Sequence, residues 1–370
     1  MSLSVFFLFP LFIMENGGSK SDIGIMMGAM MFSSVLFRPW VSQMVDTIGR
    51  KRSYFLGTLI LIGVPLLHIP FKGDISGYYG LLLLLRVLHG IGIGIGFTAA
   101  YTFISDIVPD SRLNEGLGIF GLNGLIGIAA GPAIGEPIIQ NFGFTAYFIT
   151  SAVMGLVSLG LQIFLRETLQ LKLSSGKGPS FFTVLKRKKV LGIVMITLFF
   201  GMGLATQGGF VAPYVQHLGL PTISIFFLAY SGGAILTRVF GSRIADRVGE
   251  ERIVPWAIAL NAIGFLSMVA VTNNGLLIVS GFITGMGHGF LFPCLNALAV
   301  RNEPAEIRGK ISGIFTGSID GGNLIGSVMM GYIGDWFGFK MIFIVTFLLL
   351  MTGLAAFMGF LKRVIMQSPR

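Results

Sequence analysis

The chain has 370 residues, of which 54% are hydrophobic and 11% are charged, and its mean hydropathy is +0.83. Soluble globular proteins carry about 25% charged residues, so this composition excludes a soluble domain. Apolar blocks of about 20 residues, each long enough to cross a hydrocarbon core of roughly 30 Å as a helix, recur between short polar connectors. The composition therefore indicates a polytopic membrane protein.

The formal net charge of +10 would suggest a nucleic-acid partner in a soluble protein, so the placement of the 26 basic residues decides its meaning. With the amino terminus inside, most of them fall in predicted cytoplasmic segments, whereas Lys20, Lys72 and Lys340 lie in predicted outer segments. This asymmetry follows the positive-inside rule. We therefore expect a multi-pass protein of the cell (inner) membrane with both termini cytoplasmic, and no nucleic-acid partner.

Twelve apolar segments are predicted to be transmembrane helices. In chain order they cover residues 1–14, 22–45, 53–70, 79–105, 113–138, 145–165, 190–214, 222–244, 253–271, 275–300, 307–333 and 340–361. The first run, SLSVFFLFPLFIM, is shorter than the roughly 17 residues that a span requires and lacks a basic flank, which predicts a truncated or misassigned start. Cys294 is the only cysteine, so no disulfide within the chain is expected.

The chain divides into two similar halves. A polar stretch at residues 166–189 separates the predicted helices six and six and is expected to be a cytoplasmic linker between bundles at 1–165 and 190–370. The pattern R-x-x-x-S-x-x-x-D-x-x-G begins at Arg38 and again at Arg238, and glycine patterns repeat at a spacing of 195 residues. Six helices per copy give both halves the same orientation, as in a parallel repeat about the membrane normal. Such paired bundles suit alternating access around a site between them.

The segment SQMVDTIGRKR, from Ser42 to Arg52, resembles the loop signature between helices two and three of the major facilitator superfamily. The family pattern is normally Gly-x-x-x-Asp-Arg-x-Gly-Arg-Arg, and this chain departs from it at Ser42 and at Thr47. The resemblance covers essentially the whole chain. It implies an all-α polytopic fold of twelve transmembrane helices in two pseudo-symmetric six-helix bundles, similar to the drug/proton antiporter group.

In that family the signature aspartate helps to hold the cytoplasmic side closed, by charge pairing and by facing a helix amino terminus, where the macrodipole favours an anion. Helical spacing places Arg38 and Asp46 on one face. The resemblance thus implies a set of gating residues, namely Arg38, Asp46, Gly49, Arg50 and, in the second copy, Asp246. The alternative is a solvated loop whose charges only set the orientation.

Predicted helix five contains glycines, from Gly118 to Gly135, that resemble the family's antiporter signature. The family pattern ends in a further glycine, whereas this chain has Glu136. Pro132 removes a backbone hydrogen bond and kinks the helix, while Gly131 and Gly135 form a ridge that permits close helix packing. The resemblance implies a gating contact at Gly131, Pro132 and Gly135, and ordinary glycine packing is the alternative.

Arg86 lies in the stretch LLLLLRVLHGIGIGIGF and, with Gly90, resembles the helix-four signature of proton-coupled family members. A charge within the membrane costs on the order of 3 kcal/mol or more, so we expect Arg86 to line an internal cavity and to act on His89 or on a nearby acid in proton coupling. Snorkelling to the outer interface is the alternative. Gly90 and Gly94 share the face of Arg86 and should let another helix approach closely.

Asp320 is the clearest candidate for carrying a proton, because it lies deep in predicted helix eleven on a polar stripe with Thr316, Asn323 and Ser327. A buried carboxyl near a cation can be poised to alternate between a proton and a cationic substrate. A static hydrogen bond between helices is the alternative. Glu136, near the outer end of helix five, is expected to be either a proton relay or an interface residue.

Polar and aromatic side chains in the second half are candidates for substrate contact. They are Gln207, Tyr214, Tyr230, His288, Asn296 and Asn323. Histidine also suits proton transfer, although in membranes it often serves as a hydrogen-bond partner between helices. Arg238, also within a predicted span, is expected to snorkel to the cytoplasmic edge or to pair with Asp246 on its own helix face.

These features together favour a secondary active transporter: a proton-coupled antiporter that exports a small amphipathic molecule by alternating access and functions as a monomer. One alternative is a proton symporter that imports a sugar, an organic acid or a peptide, and another is a substrate-sensing membrane receptor. The sequence contains no GxxxxGK[ST] loop for a nucleotide and no HExxH or cysteine-rich metal motif. We therefore expect no enzymatic activity, metal or cofactor.

Overall fold

The computed structural model describes residues 7–109, 113–169, 181–301, 303 and 305–361. Within these ranges the regular structure is helical, without β-strands. Side chains are described for all of these residues except 113–118, 181, 182, 242, 243, 245, 246, 305, 306, 308, 309, 360 and 361.

The helices of the first half follow the predicted order. They are α1 (Phe9–Glu15), α2 (Lys20–Leu36), α3 (Arg38–Ile48), α4 (Arg50–His68), α5 (Tyr79–Ile107) and α6 (Leu113–Gln162). Helices α2 and α3 together form predicted helix two, and their axes are bent by 51°. Pro39 stands at the start of α3, where the missing N–H of proline interrupts the hydrogen-bond ladder of a continuous helix.

Helix α6 contains predicted helices five and six in one run of 50 residues. At 1.5 Å per residue such a run would be about 75 Å long if straight, more than twice the thickness of a hydrocarbon core. The backbone breaks at Gly143, whose φ is 74°, a conformation that side-chain-bearing residues rarely adopt. Gly338 has a φ of 83° at the equivalent position of the second half. The chain therefore turns at Gly143 and makes two crossings.

The helices of the second half cover predicted helices seven to twelve. They are α7 (Phe181–Leu185), α8 (Lys188–His217), α9 (Ser224–Val248), α10 (Glu250–Ser267), α11 (Asn274–Val300), α12 (Ala305–Phe337) and α13 (Phe339–Ala356). The short α7 belongs to the predicted linker. A π-helical segment, Phe357–Leu361, continues α13.

Seven helices of the described chain are long and apolar enough to cross a bilayer, or eight if the bent pair of α2 and α3 is one span. This number is lower than the twelve predicted because α6 counts once although it carries two predicted spans. In addition, α1 has only seven described residues, α4 begins with three basic residues, and α12 carries the polar stripe of Asp320.

The most extensive contacts between the two halves in the described structure are those of α2 with α12 and of α6 with α9. In the predicted numbering these are helix two on helix eleven and helix five on helix eight, so the pairs are equivalent under the repeat. Close approach in the first pair depends on glycine: a side chain at Gly24 would collide with the Ser327 carbonyl, and one at Gly331 would lie 2.7 Å from the Lys20 carbonyl oxygen. Small residues permit this backbone contact.

Candidate functional site

An ion pair between the two halves lies near the middle of α12. Arg38 at the start of α3 donates from Nη2 to the Asp320 carboxylate on α12, and from Nη1 to Thr316 Oγ1 at 2.6 Å. Ser34 Oγ donates to the same carboxylate at 3.4 Å. The side chains of Arg38 and Asp320 are 29% and 23% exposed. The structure thus joins a predicted gating residue to the predicted proton carrier at a position that solvent reaches.

Arg86 is completely buried between α1, α2 and α5. Its guanidinium lies 4.2 Å from the centre of the Phe9 ring, and Nη2 is 3.4 Å from Met27 Sδ and 3.0 Å from Met30 Sδ. Nη1 is 2.9 Å from His89 Nδ1. Because arginine only donates, His89 Nδ1 accepts, which requires an imidazole without a proton on that nitrogen. The predicted contact with His89 is present, and apolar groups enclose the rest of the guanidinium.

Helix α5 approaches α2 closely beside Arg86. A side chain at Gly90 would collide with the Met30 carbonyl oxygen and with Ser33 Oγ, and one at Gly94 would lie 3.6 Å from Ser34 Oγ. The expectation that these glycines admit a neighbouring helix is confirmed. The contact packs α2, the helix that precedes Arg38, against α5.

Three of the predicted substrate residues meet in one buried cluster of the second half. Tyr230 on α9 is hydrogen-bonded to Nδ1 of His288 on α11, and Gln207 on α8 lies beside Tyr230. The His288 ring packs against Phe200 at 5.1 Å and Phe292 at 6.2 Å between ring centres. Aromatic and polar groups are therefore combined here, as in sites that bind amphipathic ligands.

The other three predicted substrate residues lie elsewhere. The Tyr214 hydroxyl donates to the Met268 carbonyl at 3.2 Å and its ring packs on Phe343, which is an internal contact of the second half. Asn323 accepts from Ser327 Oγ at 3.2 Å on the polar face of α12. Asn296 Oδ1, on α11, is buried and without a hydrogen-bond partner in the described structure.

Two carboxylates hold the outer ends of the halves together, and we call them the outer clamps. Glu136 near the end of the first crossing of α6 accepts the backbone N–H groups of Ile223 and Ser224, at 2.6 and 2.8 Å, where α9 begins. Asp335 on α12 accepts the backbone N–H groups of Lys20 and Ser21, at 3.0 and 2.9 Å, where α2 begins. Each clamp uses the orphan donors of a helix amino terminus.

The second clamp is charged under ordinary conditions. Burial alone would raise the pKa of Asp335, but hydrogen bonds from the side chain and backbone of Ser21 and from the backbone of Lys20, with the Lys20 ammonium, lower the pKa below its ordinary value of 3.8. An ionised carboxylate is also the form that a helix amino terminus favours. The clamp at Asp335 is therefore formed by the anion.

On the cytoplasmic side the predicted gating residues make contacts within the first half. Asp46, 63% exposed, is 3.4 Å from Arg50, and Arg50 Nε donates to Asp106 at 2.8 Å. Gly49, with a φ of 105°, forms the turn between α3 and α4. The anion at the amino terminus of α4 is Glu167, which accepts the N–H groups of Arg50 and Lys51 at 2.9 and 3.1 Å.

Glu167 is ionised for the same reason as Asp335. Burial alone would raise its pKa, but four backbone N–H groups, among them those of Arg50 and Lys51, lower the pKa of Glu167 below its ordinary value. Sequence reasoning missed Glu167 because it lies far along the chain from the loop that it binds. The side chain of Asp246, the predicted gating residue of the second copy, lies outside the described part of the chain.

The glycine signature of helix five packs in the interior of the first half. A side chain at Gly135 would lie 2.7 Å from the Tyr147 ring and 2.9 Å from Leu8, and Pro132 is a buried residue within the helix. Gly131, one residue earlier, is partly buried. This part of α6 leads directly to Glu136 and the first outer clamp.

Arg238 on α9 is directed towards the first half. Its guanidinium carbon lies 5.2 Å from the centre of the Phe292 ring, and Nη1 would lie 3.1 Å from a side chain at Gly121 of α6. The expected snorkelling to the cytoplasmic edge is absent from this arrangement. The repeat in the sequence could have predicted this contact between Arg238 and α6. Arg238 is the counterpart of Arg38, and Gly121 is the counterpart of Thr316, which Arg38 contacts.

Comparison with known proteins identifies the family of the chain. The model of the Major Facilitator Superfamily matches residues 1–227 and 193–369. The chain belongs to the Major Facilitator Superfamily. It is 25% identical to the multidrug resistance protein MdtG of Yersinia enterocolitica, with 91% of this chain and 84% of MdtG covered. It is 24% identical to the staphylopine export protein of Staphylococcus aureus, with 96% and 90% covered.

Two solved structures of transporters show the same fold. The nucleoside transporter NupG superimposes with a TM-score of 0.78 at 12% identity, and the comparison covers 100% of this chain and 98% of NupG. The human organic anion transporter MFSD10 superimposes with a TM-score of 0.69 at 14% identity, with 96% of each chain covered. The superfamily member described here is thus a polytopic all-α transporter.

Proposed function

We propose that this superfamily member is a proton-coupled antiporter of the cell membrane that exports a small amphipathic molecule by alternating access. Both termini are cytoplasmic in this proposal, as the distribution of basic residues indicates. The observation that carries the proposal is the ion pair of Arg38 and Asp320, which joins the two halves and is partly exposed.

The ion pair supplies a physical means of coupling. Protonation of Asp320 removes the charge that binds Arg38, so the carboxyl cannot hold a proton and the full ion pair at the same time. Breaking such a pair leaves an arginine without its counter-ion, which is costly where water is scarce. Proton binding at Asp320 therefore weakens the contact between α3 and α12, and proton release restores it.

The position of the clamps supports an exporter's cycle. In this conformation the outer ends are held by Glu136 and Asp335, while the Arg38–Asp320 pair is formed and partly exposed. We assign this conformation to the stage after proton release, in which substrate enters from the cytoplasm. Opening of the outer side then exposes Asp320 to external protons, and the electrical gradient contributes about 2.3 kcal/mol per charge for each 100 mV.

The names of relatives support the direction of transport. MdtG is named a multidrug resistance protein and the staphylococcal relative an export protein. Each is matched along most of its length, so the relationship extends to both halves. Export of a small molecule is therefore the favoured direction for this chain.

Proton release from energised everted membrane vesicles tests the proposal. The vesicles would be challenged with cationic, neutral and anionic amphipathic compounds, and wild type would be compared with Asp320→Asn. We expect substrate-dependent proton release in wild type and its loss in the variant, because asparagine keeps the hydrogen-bonding shape but cannot carry the proton. Asp74→Asn is the matched control, since Asp74 lies in an exposed outer connection.

Two results would contradict the proposal. Proton release that is equal in wild type and Asp320→Asn would remove Asp320 from the coupling step. Proton uptake together with substrate in right-side-out vesicles, without any release in everted vesicles, would instead show a symporter that imports its substrate.

A further inference from the structure

The repeat relates the Arg38–Asp320 pair to a second arginine that lacks a counter-ion. In the repeat, Arg238 is the counterpart of Arg38 at a spacing of 200 residues. At a spacing of 195 residues, Leu125 is the counterpart of Asp320. The structure follows the same relation, because Arg38 Nη1 reaches Thr316 and Arg238 Nη1 reaches the equivalent Gly121. Arg238 therefore approaches α6 at the position equivalent to the one at which Arg38 approaches α12. In α6 the counterpart of Asp320 is Leu125.

Arg238 has no carboxylate partner among the side chains that the structure describes. Its Nε is buried without a hydrogen-bond partner in the described structure, and Leu125, the counterpart of Asp320 in the repeat, is a buried apolar residue. Asp246 lies eight residues further along α9, about 12 Å at 1.5 Å per residue, whereas the guanidinium is directed to Gly121 and Phe292. Among the side chains that the structure describes, no carboxylate compensates the positive charge of Arg238.

An aromatic ring and a tyrosine hydroxyl lie near this charge. The Phe292 ring lies under the guanidinium, and the Tyr101 hydroxyl would be 3.8 Å from a side chain at Gly121, the same point that Arg238 Nη1 approaches. The Tyr101 ring packs edge-on against Phe120 at 5.1 Å, and Phe292 packs against Phe315 at 5.5 Å. The Phe292 ring of the second half and the Tyr101 hydroxyl of the first half therefore lie near the same cation.

We infer that Arg238 binds the anionic group, a carboxylate or a group of similar charge, of an amphipathic substrate whose apolar part packs on Phe292 and Tyr101. An unpaired charge within the membrane is costly and is normally found where it binds an ion or substrate. The planar guanidinium can make two parallel hydrogen bonds to a carboxylate, and the missing side chain at Gly121 leaves room for it. This inference rests on the proposed function and names the substrate class of the same transporter.

Binding of three dansyl probes to the purified protein in nanodiscs tests the inference. Dansylglycine is anionic, dansylamide is neutral and dansylcadaverine is cationic, while all three carry the same aromatic body. We expect saturable binding of dansylglycine to wild type and an apparent Kd that is at least tenfold higher in Arg238→Gln. Tenfold corresponds to about 1.4 kcal/mol. Arg238→Lys should fall between the two, because lysine keeps the charge without the bidentate geometry.

A second variant supplies the counter-ion that the repeat lacks. Leu125→Asp places a carboxylate where Asp320 stands in the other half, so it should neutralise Arg238 in place and abolish dansylglycine binding. Arg247→Gln is the matched control, since Arg247 is an exposed arginine at the cytoplasmic end of the same helix. Its affinity for dansylglycine should equal that of wild type.

Three results would overturn the inference: absence of saturable dansylglycine binding to wild type, equal affinity in wild type and Arg238→Gln, or tighter binding of dansylcadaverine than of dansylglycine. Because binding is measured without a proton gradient, these results do not depend on coupling. Loss of proton release in the vesicle experiment together with intact, Arg238-dependent dansylglycine binding would reject the antiporter and keep the anion site.

Discussion

Arg301 binds Glu250 at 2.5 Å across the cytoplasmic ends of α11 and α10, and this ion pair is the charge-inverted copy of another. In the first half Arg50 binds Asp106 at 2.8 Å across the ends of α4 and α5. The repeat spacings of 200 and 195 residues relate Arg50 to Glu250 and Asp106 to Arg301. The departure of the second copy from the basic loop signature at Glu250 is therefore balanced by an opposite change on its partner.

The ion pair of Arg301 and Glu250 predicts that exchanging the two charges restores stability lost in a single variant. Arg301→Glu should lower the apparent melting temperature of the purified protein, because it places two like charges together, and Glu250→Arg with Arg301→Glu should recover most of the loss. The Arg301 side chain is 46% exposed, so we expect a coupling energy of only about 0.5–1 kcal/mol. The same exchange at Arg50 and Asp106 serves as the comparison, and failure of the double variant to recover would show that the pair is not coupled.

The outer clamps predict a shift of the conformational equilibrium. In Asp335→Asn the backbone N–H groups of α2 lose a charged acceptor, and hydrogen bonds to charged groups contribute about 1.5–3 kcal/mol. The outward-open state should therefore become about tenfold more populated. Labelling of Ser327→Cys by a membrane-impermeant maleimide from outside measures this population, in a background with Cys294 replaced by alanine, because Ser327 is buried on the outer half of α12.

Glu136→Gln should have the same effect on the labelling rate, since Glu136 binds the start of α9 in the same way. Asp74→Asn should leave the rate unchanged. A labelling rate that is insensitive to both clamp variants would show that the carboxylates do not limit opening of the outer side.

The clamp at Asp335 also predicts a pH dependence. Because its folded-state pKa is lowered, the stability it contributes is present above the ordinary pKa of 3.8 and is lost as the pH falls through the lowered value. Because the thiolate is the form that reacts with maleimide, the labelling rate of Ser327→Cys in an Asp320→Asn background is divided at each pH by the rate of a freely exposed cysteine. This ratio should be constant between pH 5 and 8 and should rise only below about pH 4. A rise near pH 6 would show that another group titrates at the outer contact.

The contact between α5 and α2 predicts different costs for two similar substitutions. Gly90→Ala forces a methyl group against the Met30 carbonyl and Ser33, and overpacking of this kind costs about 1–3 kcal/mol. Gly63→Ala on α4 meets nothing within 4 Å and should be neutral or slightly stabilising. Apparent melting temperatures of the two variants test this difference, and equal values would mean that α5 can move away from α2.

The sequence predicted the helices and the repeat well because both depend on local features. Apolar blocks define spans, and Gly143 and Gly338, matched by the repeat, both adopt positive φ at their turns. Asp320 was recognised because an acid stands out within an apolar helix. Its partner was harder to foresee, since Arg38 and Asp320 lie 282 residues apart and helix rotation decides which face meets the other half.

The remaining contacts depend on backbone groups, which no sequence motif displays. Glu136 was predicted as a relay or an interface residue, and the structure places it on two N–H groups of α9. Asp335 was not recognised at all, because its partners are backbone atoms at Lys20 and Ser21. The contact of Arg238 with α6 could have been predicted by comparing the partners of Arg38, as well as Arg38 itself, with their counterparts in the other half.

The outer clamps have a consequence for what happens after release of a substrate. When the outer side opens, Glu136 and Asp335 lose the amide groups that now neutralise them and become free anions on opposite sides of the external vestibule. Their field repels an anionic molecule that has just left and attracts protons to the vestibule. In the proposed antiporter, the same two residues that hold the outer side closed would thus act as an electrostatic valve, which disfavours re-entry of an anionic substrate and favours arrival of a proton.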